Sequence, residues 1–122
     1  MSASQNLDPA ALERLQRLGG DAFVCKMIDL FLDYAARKIS EARAAQVAGN
    51  FTSVEKAVHP LKSSAANVGA THVQELAVRL EDLARQNQAE ALAISLGELE
   101  LAFADVEPEL ERHRQSLSAR IS

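Results

Sequence analysis

Between Phe51 and Gly69 the chain reads FTSVEKAVHPLKSSAANVG, and its apolar residues Val54, Val58, Leu61, Ala65 and Val68 step alternately by four and three. That spacing tracks the 3.6-residue turn, so the stretch predicts a helix with one stripe turned to a core. His59 is off the stripe, about 100° round the helix from Val58, on a face shared with Glu55, Lys56, Lys62, Ser63 and Ala66. An outward imidazole with a cation one turn on and small side chains beyond it is open to a bulky partner, and imidazole is a nucleophile near neutral pH. Pro60 follows directly; inside a helix a proline removes one backbone bond and clashes with the preceding turn, at about 3 kcal/mol. The expectation is a local kink that frees the Lys56 carbonyl beside His59.

The rest of the chain repeats the same period. Asp8-Pro9 predicts a helix start, with Asp accepting free amides and Pro filling the first turn. Leu12, Leu15 and Leu18 follow, and Gly19-Gly20 ends this short helix. Asp21 is placed to cap a long second helix from about Ala22 to Ala48. Its apolar residues Phe23, Val24, Met27, Ile28, Leu30, Phe31, Tyr34 and Ala35, then Ile39, Ala42 and Ala45, draw a stripe wider than a two-helix seam needs. Thr52 with Glu55 reads as a capping box for the central helix, and Thr71 with Gln74 as another for the helix after it. That next helix buries Val73, Leu76, Ala77, Leu80, Leu83 and Ala84 and runs to about Arg85, with His72 in its first turn at the surface. After the polar Asn87-Gln88 turn, Leu92, Leu96, Leu99, Phe103, Val106, Leu110 and Leu117 keep one register across Pro108, which predicts a single kinked helix. His113 falls where an apolar residue would continue the series, and the charged run from Glu107 to Arg114 reads as a solvated face.

Four long amphipathic helices joined by short turns bury their stripes only against one another. The fold class is therefore all-α, an antiparallel up-down-up-down four-helix bundle with a short N-terminal capping helix. Composition agrees: of 122 residues 48% are hydrophobic but only 4% aromatic, with no Trp, five Gly and three Pro, which suits a helical core of Leu, Ala, Val and Ile. Residues 1–6 are small and polar and are expected to be disordered, leaving 7–119 as one domain. A net charge of −4 without a basic cluster argues against nucleic acid as partner. The lone Cys25 forms no internal disulfide and reads as a buried or half-buried thiol, and no apolar leader or membrane anchor opens the chain, so a cytoplasmic monomer is expected. His59, His72 and His113 lie too far apart in sequence to make a helix-spaced metal site.

The central stretch resembles the signature of histidine-containing phosphotransfer (HPt) domains, His-x-Leu-Lys-Gly-Ser/Ala with Gly-Ala about ten residues after the His. The matching residues are His59, Leu61, Lys62, Ser64, Gly69 and Ala70. Ser63 stands where the family usually has Gly, a position that keeps the surface low beside the histidine; its hydroxyl is also within helical reach of the His59 ring. The Leu80-Glu81 pair followed by Arg85 is similar to the family's usual ending for its helix. The resemblance spans roughly Leu7 to Leu117 and implies the same bundle.

It further implies that His59 is a phosphoacceptor, taking a phosphoryl group from the phospho-aspartate of a response-regulator receiver domain and relaying it to another, with a hybrid sensor histidine kinase upstream. Lys62 would neutralise part of the charge. The chain would hold no cofactor of its own, magnesium being supplied by the partner receiver. Gly69 would be structural. Lys56 and Ala66, with Ile28, Leu32 and Ala35 on the long helix, are the candidate docking residues; core burial is the competing assignment for the last three. Two other functions remain open: a helical interaction module that is never phosphorylated, which Ser63 and Pro60 would favour, and an enzyme using His59 as general base, which would need a carboxylate-lined pocket.

Overall fold

The computed structural model describes residues 6–121. Four helices account for nearly all of them: α1 (Pro9–Val47), α2 (Phe51–Val68), α3 (Thr71–Arg85) and α4 (Ala89–Ile121). Each helix packs against two neighbours, α1 on α2 and α4, and α3 on α2 and α4, closing a ring around one core. The connections of a few residues force successive helices to run antiparallel.

The predicted separation of a short first helix from a long second one survives as a break inside α1. Gly20 has φ 81° and ψ −170°, a conformation open essentially to glycine alone. The residues before it form an arm whose Ala11, Leu12 and Leu15 are buried, while Leu18 is exposed. Asp21 does not cap the second part. Its carboxylate takes bonds from Gln16 and from Arg120 near the end of α4, because the chain bends at Gly20 without unwinding. The expected disorder of residues 1–6 falls outside the described residues except at Asn6, whose side-chain amide bonds Glu109 of α4 at 3.0 Å.

Beyond the break, α1 buries Val24, Ile28, Phe31, Ala35, Ile39 and Ala42. The stripe is narrower than the sequence suggested: Phe23, Met27 and Tyr34 are half-buried, and Leu30 is 55% exposed, since α1 meets only two neighbours. The α4 series is buried at Leu92, Leu96, Leu99, Val106, Leu110 and Leu117. Phe103 of that series sets its ring edge-on to Phe31, centroids 6.2 Å apart. The helix runs unbroken through Pro108, and His113 lies at the surface. Cys25 is half-buried.

Neither predicted capping box forms. Helix α2 starts earlier than Thr52, with Asn50 as its cap accepting from the Ser53 amide at 3.0 Å; this brings Phe51 down against the core. Ala70, which has no side-chain acceptor, precedes α3. Its position follows from Gly69, which ends α2 at φ 78° and lets the Ala70 amide reach back to the Ala65 carbonyl at 2.9 Å. Gly69 also receives the N-terminal arm: the Asp8 amide donates to its carbonyl at 2.8 Å. A Cβ at this position would lie 2.5 Å from the Asp8 carbonyl oxygen. Left-handed strain and this backbone clash together predict that Gly69→Ala destabilises the bundle by about 2 kcal/mol or more, read as a lower midpoint in urea unfolding; an unchanged midpoint would remove Gly69 from the account.

Candidate functional site

Helix α2 continues as a regular helix through Pro60, so the proline removes one donor without ending it. The turn carrying His59 thus stays part of a rigid rod whose other face, Val54, Val58, Leu61 and Ala65, is fully buried. The His59 side chain is 63% exposed, on the flank of α2 that turns toward α3. Lys56 and Ser63 are exposed beside it, and Ala66 is half-buried. Ser63 Oγ does not reach the imidazole; it donates to the Pro60 carbonyl at 3.5 Å, the ordinary fate of a serine inside a helix.

The partner of the ring is a residue that sequence reasoning passed over. His59 Nδ1 bonds Oε2 of Glu81 on α3. Oε1 of the same carboxylate accepts from Lys62 Nζ, and Arg85 Nη2 lies 3.2 Å from Oε2. The Glu81 side chain is 5% exposed. Burial would push this carboxyl up, but the bonds from Lys62 and His59 and the charges of Lys62 and Arg85 outweigh that and hold it below the usual carboxylate range. An ionised carboxylate only accepts, so the Nδ1 it binds carries the hydrogen. In the neutral ring the lone pair therefore sits on Nε2, the nitrogen farther from the backbone.

Arg85 extends the network one step further, its Nε donating to Glu55 Oε2 of α2 at 2.7 Å. Thr52, Glu55, Lys56, His59, Glu81 and Arg85 line an open cleft of about 380 Å³. Lys62 is not in that lining, being 30% exposed and bound to Glu81. Among the described residues no group of three or more His, Cys, Asp or Glu is placed to hold a metal ion, and no helix is long and apolar enough to cross a membrane.

The candidate docking residues on α1 need correcting. Ile28 and Ala35 are both 0% exposed, because they fall on the inward arc of the stripe, whereas Leu32 at its edge is half-buried. The α1 side chains that line a groove of about 220 Å³ with Ser64, Asn67 and Val68 of α2 are instead Met27, Leu30, Phe31, Asp33, Tyr34 and Arg37. The sign available in the sequence was the excess width of the α1 stripe, whose surplus, Leu30 above all, is surface.

A four-helix bundle that presents an exposed histidine from α2 has the architecture of a histidine phosphotransfer domain. The Hpt domain family model matches residues 26–118, and the chain belongs to that family of phosphoryl carriers of two-component phosphorelays. Histidine-containing phosphotransfer protein 2 of rice is 30% identical over 109 residues, covering 84% of this chain and 73% of the relative. The crystal structure of the phosphotransfer protein HptB from Pseudomonas aeruginosa shares the fold, with a TM-score of 0.88 at 23% identity over 93% of this chain and 98% of that one. That of ZmHP2 from maize has a TM-score of 0.81 at 29% identity, over 100% and 91%.

The buried pairing has a pH consequence. A carboxyl held below its ordinary range binds fewer protons folded than unfolded, so its contribution is complete above the unfolded value, near 4, and is lost as pH falls through the folded one. Glu81 behaves so, as do Asp21, through Arg120 and Gln16, and Glu100, through Arg43. Unfolding free energy should decline below about pH 4, and Glu81→Gln should flatten that decline in urea titrations run across pH; an equally steep decline in the variant would mean that Glu81 is not held down by its partners.

Proposed function

We propose that His59 accepts a phosphoryl group from the phospho-aspartate of a receiver domain and passes it to the aspartate of another. The observation that carries this reading is an exposed ring whose Nδ1 is tied to a buried carboxylate, so that Nε2 is the free nucleophile. In the forward step the Nε2 lone pair forms the N–P bond while the acyl-phosphate P–O bond breaks and its electron pair returns to the receiver's aspartate. The Nδ1 hydrogen stays on the ring, which becomes an imidazolium facing Glu81. That carboxylate offsets the new positive charge at no cost in reorganisation, and the reverse step regenerates the neutral ring.

In-line positioning and neutralisation of charge are most of what phosphoryl transfer needs. The receiver, with its magnesium ion, supplies the catalytic groups around the phosphorus, and this chain acts as a carrier fed by a hybrid kinase. Lys62 works as a positioning residue, holding Glu81 in register with the ring. The receiver docks across His59 and onto the α1–α2 groove, where Leu30 offers exposed apolar surface.

Incubation with a phosphorylated receiver should label the wild type with phosphate that survives alkali and is lost in acid. His59→Ala should remove the label, and Lys62→Ala should slow its appearance with the fold retained by circular dichroism. A label persisting in His59→Ala would assign another acceptor; no label from several receivers would favour a binding module instead.

A further inference from the structure

The cleft beside His59 contains more positive charge than tethering the ring requires. Lys62 serves Glu81 from outside the cleft lining. Lys56 and Arg85 do line it; Lys56 is exposed and makes no ion pair among the described residues. Arg85 is 55% exposed and divides its guanidinium between Glu81 and Glu55. A guanidinium has five N–H donors, and these two carboxylates leave several of them free. Glu55, the partner of Arg85 on α2, is only 30% exposed at its side chain, sits one helical turn before His59, and faces the same cleft.

Resting on the acceptor reading above, we propose that this cleft seats the phosphoryl group between transfers, with Arg85 as its movable cation and Glu55 as the carboxylate that holds Arg85 in reserve while His59 is unmodified. A phosphoryl group on Nε2 brings close to two negative charges at neutral pH. It competes with Glu55 for the same planar fork of donors, and a guanidinium binds phosphate oxygens in the bidentate geometry it uses for carboxylates. Arg85 therefore turns from Glu55 to the phosphoryl oxygens while Nη2 stays near Glu81, and Lys56 closes the other side of the cleft. Glu55, freed and like-charged, then opposes the bound group and keeps the seat from becoming a trap.

The test uses phosphoramidate, which needs no partner protein. Its P–N bond breaks with the electron pair leaving on ammonia as the His59 Nε2–P bond forms. Phosphorus NMR then follows the second ionisation of the phosphohistidine with pH. A cation on the phosphoryl oxygens favours the dianion, so Arg85→Gln should raise the midpoint by roughly half a pH unit or more, Glu55→Gln should lower it, and Arg85→Lys should fall between wild type and Arg85→Gln. A merely structural Arg85 would leave all midpoints together, and that result overturns the seat while the acceptor reading stands. Failure of phosphoramidate to label His59 in the wild type overturns the acceptor reading instead.

Discussion

A carboxylate removed from water costs several kcal/mol unless it is paired and its oxygens are satisfied, and Glu81 meets that demand with three groups, an imidazole, an ammonium and a guanidinium. Two of these come from α2 and one from α3, so the condition for keeping Glu81 ionised also fixes how the two helices sit against each other. The His59 ring is therefore positioned by the same interaction that holds α2 against α3. Loss of any one partner would leave a Glu81 oxygen short of a donor at the α2–α3 seam.

The bundle contributes rigidity. The face of α2 opposite His59 is fully buried from Val54 to Ala65, and the helix passes through Pro60 without stopping. Small residues keep the approach low: Ser63 is folded back onto the Pro60 carbonyl, and Ala66 follows one turn later. The result is an imidazole fixed on a stiff rod, which suits the proposed presentation of one group in the same attitude to successive partners. Substitution of the family's usual glycine by Ser63 is accommodated because its hydroxyl finds a backbone acceptor in its own helix.

Much of this was legible beforehand. The alternation of four and three in α2, α3 and α4 specified helices and their inward faces, and the position of His59 off the α2 stripe specified that its ring would be exposed. Helix starts were less legible, because a capping box is a local pattern, whereas Asn50 and Ala70 were selected by where Phe51 and Gly69 have to pack. The role of Glu81 was invisible for a related reason. It is 22 residues from His59 in sequence, and only the register of α2 on α3 brings the two together. The burial of Ile28 and Ala35 was not legible because a wide apolar stripe does not say which of its edges is covered. Ile28 and Ala35 lie inside, Leu32 sits half-buried at the edge, and Leu30 lies out.

The break at Gly20 bears on modular use of the domain. It turns the N-terminal arm so that Asp8 meets the Gly69 carbonyl, Asn6 meets Glu109 and Asp21 meets Arg120, which gathers the first and last described stretches at the end of the bundle that holds the α2–α3 turn. His59 lies about ten residues back along α2 from that turn, about 15 Å at the helical rise. Polypeptide joined at either terminus would leave from that end of the bundle, so a fused reporter could be held clear of the His59 cleft.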